Sequence, residues 1–398
     1  MKTKIFEMEK EKLKALFLAR WYPHKNDPMF GLFVERHAES ISSLYDLSVI
    51  SIVPVNKQKK RFVLNNFTKN GINNILVYYK TTNTSISIFR GLLRMSFFLI
   101  SFLKAWFFLI RTNGKPDFIH VHVLSRFGVI ASILKLVYNI PYYITEHWSR
   151  YLPVNSGFNG FLRRKLTRIA VKHSSGITAV TKDLRKAIQS YGINHEKFVI
   201  LPNVVDSKLF YYQQKESSKI KNIVHISCFE DRSKNIKGIV RVIGRLSQIR
   251  DDFKLILIGD GEDMGEIRLL SDELNLTGRF IHFMGIMEGI VLAKELQKAD
   301  FTLQFSNYEN FPVVISESLC CGVPVLSSRV GGIPEYITED NGVLCDPKDE
   351  DQLLEKINLF LDKCDKYDRL SISKDAQSIF AKNEVANFLE MFYDLGKK

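Results

Sequence analysis

Short β-rich runs alternate with helical stretches through most of this 398-residue chain, and they do so in two separate series. The first opens with "LKALFLAR" and continues through "DLSVISIVPV", "DFIHVHVL", "YYITEHW", "GITAVT" and "KFVILPN". A polar stretch without apolar periodicity, "YYQQKESSKIKN" at 211–222, then interrupts the pattern. The second series runs "IVHISCF", "KLILIGDG", "FIHFMG", "FTLQFS", "PVLSS" and "GVLCD", again with helical spacers. A strand followed by a helix returns beside its neighbour by a crossover, so repeated alternation builds an open, doubly wound parallel sheet. Two series joined by a linker therefore predict an α/β protein of two Rossmann-like domains facing an interdomain cleft. The expected bounds are a first domain at 1–210, a linker at 211–222, a second domain at 223–375 and a C-terminal helical tail at 376–398. The length agrees, because it exceeds what one hydrophobic core usually fills.

The net charge of +13 is not shared evenly. Residues 1–210 carry 32 Lys and Arg against 12 Asp and Glu, whereas the remainder carries 24 against 31. Such a one-sided surplus implies an anionic partner: phospholipid headgroups, a polyprenyl diphosphate or nucleic acid. No nucleic-acid recognition module accompanies the basic residues, so nucleic acid is set aside. In the stretch around "MSFFLISFLKAWFFLI", at 95–110, a helix would place Arg90, Arg94, Ser101, Lys104 and Arg111 on one arc, opposite a broad aromatic face. Two readings stay open: a helix packed on the first sheet, or one seated in a membrane interface by its aromatics and arginines. Lys104 and the modest length argue against a membrane span. The charged start, "MKTKIFEMEKEKLK", lacks the apolar core of a signal peptide, and five scattered cysteines lack metal-ligand spacing. Both features lead us to expect a reduced, cytoplasmic protein.

The richest stretch for chemistry is "NYENFPVVISESLCCG", 307–322, with Glu309 and Glu317 eight positions apart. "FTLQFS" before it reads as a strand and "NYENF" as a loop at its carboxyl end, where open α/β sheets place ligands. Pro312 suits a helix start and Gly322 a helix end. Amides just after Pro312 would point outward with partial positive charge, a ready seat for a diphosphate. Glu317, inside an otherwise apolar helix, could accept hydrogen bonds from a ribose. A solvated surface carboxylate is the plain alternative for either residue.

Taken in order, these fragments resemble a retaining glycosyltransferase of the GT-B fold, similar to glycosyltransferase family four. "RSKNIKG" resembles the basic turn that neutralises a donor diphosphate, and "LILIGDGE" the glycine turn of the donor lobe. "YENFPVVISESLCCGVPVLSS" resembles the two-glutamate signature, and "GGIPEYI" the turn that follows it. In the first half, "WYPHKNDPMFGLFVERHAESI" resembles the glycine loop beneath the sugar phosphate. "FIHVH" and "PYYITEHW" resemble the strands flanking the cleft, and "VILPNVVDSKLF" the passage into the second lobe.

The resemblance implies that Glu309 contacts the transferred sugar, Glu317 the ribose and Lys234 the diphosphate. It implies that amides near Phe311, Val313 and Val314 help bind the diphosphate, and that Gly31 lets the first-lobe loop approach the phosphates. His147 would hydrogen-bond the sugar from the opposite lobe, with Ile286 and Met287 against the base. One position departs from the pattern: Cys228 stands where many relatives carry arginine, and Arg232 or Lys237 would have to supply the missing charge. The implied substrates are a nucleotide sugar such as a UDP- or GDP-sugar and a saccharide or polyprenyl-diphosphate-linked acceptor. The implied setting is surface-polysaccharide synthesis, with peripheral contact at the inner face of an anionic membrane.

No cofactor or metal is expected. No Asp-x-Asp lies at a strand end, and His120 and His122 share a strand face without a third ligand at metal spacing. "GDGE" lacks the third glycine and the later acid of a dinucleotide fingerprint. Two rivals remain: a nucleotide-sugar epimerase on the same scaffold, and a degenerate scaffold protein in a polysaccharide assembly complex, which Cys228 favours.

Overall fold

The computed structural model describes residues 12–81, 87–155, 157–216 and 218–395; the charged start at 1–11 lies outside them. The first series of strands comprises β1 (Lys14–Ala19), β2 (Asp46–Val55), β3 (Phe62–Lys69), β4 (Ile72–Lys80), β5 (Phe118–His122), β6 (Tyr142–Glu146), β7 (Gly176–Ala179) and β8 (Phe198–Ile200). They form one sheet in the order β3-β4-β2-β1-β5-β6-β7-β8. All neighbours are parallel except β3 and β4. The second series is β9 (Lys221–Ile226), β10 (Phe253–Ile258), β11 (Ile281–Gly285), β12 (Phe301–Gln304), β13 (Val325–Ser328) and β14 (Gly342–Cys345). Its order is β11-β10-β9-β12-β13-β14, parallel throughout. Two Rossmann-like lobes result, as the alternation requires.

Helices of the first lobe are α1 (Leu32–Ile41), α2 (Ser87–Asn113), α3 (Arg126–Tyr138), α4 (Phe161–Lys172) and α5 (Lys182–Ser190). The second lobe carries α6 (Asp231–Lys234), α7 (Ile236–Leu246), α8 (Met264–Glu273), α9 (Gly289–Lys298), α10 (Val313–Cys320), α11 (Glu350–Lys363) and α12 (Arg369–Phe380). The last helix, α13 (Lys382–Leu395), crosses back. Its Val385, Leu389, Phe392 and Tyr393 are buried in the first-lobe core with Phe17 and Val34, and the Tyr143 hydroxyl donates to the Tyr393 carbonyl at 2.5 Å. Position 376, where a separate tail was expected, lies within α12, which packs on α10.

Two further features depart from the sequence reading. The β3–β4 hairpin adds an antiparallel edge; its turn is Asn70-Gly71, both at positive φ (52° and 75°), the arrangement an Asn-Gly hairpin turn adopts. Helix α2 does pack on the first sheet, burying Phe97, Phe98, Phe102, Trp106 and Leu109. Ser101, assigned to the polar arc, is fully buried with no hydrogen-bond partner for its hydroxyl. The face turned to solvent instead carries Leu92, Leu99, Ile100, Leu103 and Phe107, each at least 40% exposed.

Candidate active site

The glutamate stretch folds as its residues dictate. Pro312 is the N-cap of α10 at φ −64°, one position earlier than a first-turn proline, and Val313 starts the helix. Among the described residues no protein acceptor meets the Val313 or Val314 amide, so both N–H groups face outward at the positive end of the helix dipole. Glu309, in the loop after β12, forms an ion pair with Lys234 and accepts from the Ser306 hydroxyl at 3.4 Å. Burial disfavours the Lys234 ammonium, but Glu309, with Cys228 and Glu230 beside it, outweighs that and holds its pKa above the usual lysine value. The loop is buttressed from behind. Gly331, at φ 53°, leaves no room for a Cβ, which would stand 2.0 Å from the Glu309 carbonyl oxygen. The Gly332 amide donates to the Asn310 carbonyl at 2.7 Å.

First-lobe residues meet this loop directly. The Asn310 side-chain amide donates to the His147 carbonyl at 3.1 Å, and the Thr181 hydroxyl donates to Asn310 Oδ1 at 3.0 Å. Asn203 Nδ2 donates to the Phe311 carbonyl at 3.3 Å, while the Phe311 ring is buried against Tyr336 and Phe380. Glu309 and His147 are thereby brought to opposite walls of one cleft, linked through Asn310.

His147 belongs to a buried imidazole cluster that sequence reading did not assemble. Its Nε2 lies 3.2 Å from His122 Nδ1, and His122 stacks on His120 with ring centres 4.3 Å apart. His37 stands 5.4 Å from His147 and 5.7 Å from His122. Burial pushes all four pKa values down, that of His37 to about 4, and the neighbouring imidazoles push His120, His122 and His147 down further. All four are neutral at neutral pH. His122 Nε2 is buried without a partner. An orphaned N–H costs more than an orphaned lone pair, so the proton belongs on His122 Nδ1, donated to His147 Nε2. His147 then carries its own proton on Nδ1.

The remaining candidate residues sit as follows. Gly31, at φ 73°, caps α1; a Cβ there would come within 2.3 Å of the Trp21 carbonyl carbon, so the glycine is required by the first-lobe backbone itself. Glu317 is buried in α10, and its Oε1 lies 2.6 Å from Arg36 Nη2 on α1, a pair that crosses the cleft. Ile286 is exposed and Met287 half-buried just past β11. Cys228 is exposed in the β9–α6 loop. Of the two substitute cations, Lys237 is tied to Glu266, whereas Arg232 is exposed with no ion pair among the described residues.

Glu335, within "GGIPEYI", carried no role in the sequence reading. Its carboxylate accepts from the Lys182 and Asp183 amides, each at 2.8 Å, and so caps α5 across the lobe boundary. The signal was a carboxylate in a Gly-Gly turn; its receptor was not visible. Neither grouping of metal-ligating atoms is free. The His120 nitrogens are bonded to the Tyr393 and Thr145 hydroxyls, and Asp300, beside Cys364 and Asp365, is neutralised by Lys215 and Lys221.

Two facing Rossmann-like lobes, with an outward helix start and a glutamate loop between them, define a GT-B protein. Residues 207–376 match the family described as Glycosyl transferases group 1, and residues 74–209 match Glycosyltransferase Family 4. N-acetyl-alpha-D-glucosaminyl L-malate synthase of Bacillus anthracis is 28% identical over 246 residues, 58% of this chain and 62% of that protein. The match thus spans less than two thirds of that relative's length. The putative teichuronic acid biosynthesis glycosyltransferase TuaC of Bacillus subtilis is 22% identical over 369 residues, 87% of this chain and 89% of TuaC. Among solved structures, sucrose-phosphate synthase from Thermosynechococcus elongatus superposes with a TM-score of 0.75 at 17% identity, covering 96% of this chain and 98% of that one. HepE of Anabaena, solved with UDP and glucose, superposes at 0.68 and 16% identity, covering 96% and 99%. The chain belongs to the GT-B glycosyltransferases of the family-four type.

Proposed function

We propose that this protein transfers a sugar from a nucleotide-sugar donor, such as a UDP- or GDP-sugar, to a saccharide or lipid-linked acceptor in surface-polysaccharide synthesis, with retention of anomeric configuration. The observation that carries this reading is the Lys234–Glu309 pair beside the open amides of Val313 and Val314, facing His147 across the cleft. The donor diphosphate would lie on Lys234 and the α10 start, with Arg232 in reach in place of the absent arginine. Glu309 would hold sugar hydroxyls from one side and His147 from the other. Glu317 would take the ribose, sharing its charge with Arg36, and Ile286 and Met287 the base. The loop turned by Gly31 would close over the phosphates.

As the sugar–phosphate bond breaks, positive charge develops on the sugar and negative charge on the leaving phosphate. Lys234 and the helix dipole meet that second charge, so the donor needs no divalent ion. The acceptor hydroxyl would pass its proton to the leaving phosphate on the same face. Contacts across the cleft keep out water, which would otherwise compete as acceptor. Replacing Glu309 by Gln is expected to lower turnover about 10²–10³-fold in a chain that still folds, with some loss of stability because Lys234 loses its counter-charge. Transfer at the wild-type rate would overturn the assignment. An epimerase would release modified sugar from donor alone, and a scaffold would bind neither UDP nor GDP, so chromatography and calorimetry separate these rivals.

The same reading places the protein at the inner face of a membrane. Among the described residues one helix, Phe89–Asn113, is long and apolar enough to cross a bilayer, but its inner face is occupied by the first-lobe core. The outer faces of α2, α3 and α4 adjoin, since Trp106 meets Tyr138 and α3 packs on α4. Leu136, Phe161 and Leu162 extend the exposed apolar strip of α2. These three helices hold eleven Lys and Arg and no Asp or Glu. Apolar side chains rimmed by unopposed cations fit an anionic lipid surface. Vesicles rich in phosphatidylglycerol should sediment the protein, and Leu99→Glu with Leu103→Glu should weaken this at least tenfold. Equal partition of wild type and variant would refute the surface.

A further inference from the structure

Three neighbouring strands of the first lobe each lead into an arginine. Arg20 follows β1, Arg126 opens α3 after β5, and Arg150 lies in the short turn after β6. The strands are parallel, so all three side chains start from the carboxyl edge of the sheet, which faces the cleft. Trp148 gathers two of them. The guanidinium carbon of Arg20 lies 4.3 Å from its ring centre and that of Arg150 lies 3.9 Å from it, with Trp21 edge-on at 5.2 Å.

These cations are poorly neutralised. None of the three forms an ion pair among the described residues. Among the described residues one carboxylate, Glu146, is coupled to both Arg20 and Arg150, and its oxygens already accept the amides of Leu124, His147 and Trp148. Arg150 is more than nine-tenths buried; its Nη2 donates to the Leu124 carbonyl, while its Nε has no partner. Burial, then the charges of Arg150 and Arg126, bring the Arg20 pKa down to about 10, and Glu146 offsets them only in part. A fold keeps mutually repelling charges at a cleft when a ligand supplies the opposite sign.

The place decides which ligand. Trp148 directly follows His147, whose carbonyl is bound to Asn310 beside Glu309. The donor diphosphate of the reading above has its own cation, Lys234, on the opposite lobe. We propose that Arg20, Arg126 and Arg150 form an anion seat on the first-lobe wall, which binds a phosphate or diphosphate group carried by the acceptor. Guanidinium forks suit phosphate oxygens in pairs, and the indole faces between them give an apolar flank. The assignment to the acceptor rests on the transferase reading; the seat itself does not.

The test is calorimetry on the full chain with Lys234→Ala, which weakens the other diphosphate site. Farnesyl diphosphate and inorganic pyrophosphate serve as probes. Both are expected to bind Lys234→Ala and to lose about tenfold or more in affinity when Arg20→Gln and Arg126→Gln are added. Arg20→Lys with Arg126→Lys should restore part of that loss, because charge returns without the fork. Farnesyl diphosphate binding at least tenfold tighter than pyrophosphate identifies a lipid carrier, and equal binding a phosphorylated soluble acceptor; either supports the seat. No binding to Lys234→Ala, or binding indifferent to the glutamines with the melting curve unchanged, overturns it. UDP titrations on the wild type read the transferase assignment separately, so the two can fail independently.

Discussion

The two walls of the cleft achieve polarity by opposite means. On the second lobe the key groups are charged and compensated: Lys234 with Glu309, next to a helix start. On the first lobe they are neutral imidazoles held uncharged by burial, flanked by three arginines, of which Arg20 and Arg150 share one carboxylate, Glu146. Yet the first half carries the positive surplus of the sequence and the second half an excess of acid. The difference teaches that net charge does not locate the proposed donor site. Most of the basic surplus lies outside the cleft, on α2–α4 and the loops.

The largest expected effect breaks the charged wall alone. Lys234→Ala leaves Glu309 part-buried without its partner and removes the cation proposed to meet the leaving group. We expect kcat/KM to fall about 10²–10³-fold, with UDP affinity reduced in parallel. Steady-state kinetics with UDP calorimetry checks it. A Lys234→Ala enzyme within threefold of wild type would mean that the α10 dipole and Arg232 suffice, and the contrast between the walls would be false.

Acid should break the neutral wall first. His37 and His225 are each pushed down to about 4 by burial, and His120, His122 and His147 well below the usual value. A histidine whose folded pKa is depressed binds its proton in the unfolded chain first. Stability is therefore complete above about pH 6.5 and is lost as pH falls towards the folded value, by roughly 3 kcal/mol for a group such as His37. Four of these five histidines are in the first lobe. All three tryptophans, Trp21, Trp106 and Trp148, are there too, so their fluorescence reports that lobe alone. Between pH 7 and 4.5 the fluorescence transition should precede the loss of far-ultraviolet circular dichroism. Superimposed transitions would show the lobes equally acid-sensitive.

How much of this contrast the sequence shows depends on the range of the interaction. Strand runs such as "KLILIGDG" and "FTLQFS" are local patterns of apolar and β-branched residues, and they fold where read. The Glu309 loop and α10 are legible for the same reason: strand, turn, proline and helix are consecutive. The β3–β4 hairpin carried its signal in Asn70-Gly71 and in the apolar run "ILVYY" of β4, whereas β3 is too polar to stand out. Pairings over long separations leave no local trace. Arg36 with Glu317, Tyr393 with His120, and Asn310 with His147 each join residues more than a hundred positions apart. Ser101 shows the same limit in reverse: a polar residue on a helical wheel says nothing of the sheet that covers it.

The smallest expected effect concerns the place where the walls are fastened together. Glu335 of the second lobe accepts two amides at the start of α5 in the first. Burial and the Glu335 charge together raise the Asp183 pKa, so the clasp brings two carboxylates close as well as gaining two hydrogen bonds. The opposing contributions leave a net gain near that of an ordinary helix cap, about 1 kcal/mol. Glu335→Ala should lower the melting midpoint by about 1–2 °C. It should also lower the pKa of Asp183, which titration followed by NMR can read. A midpoint that does not move, with Asp183 shifted as expected, would mean that repulsion cancels the cap. Closure would then rest on Asn310, Thr181 and the Arg36–Glu317 pair.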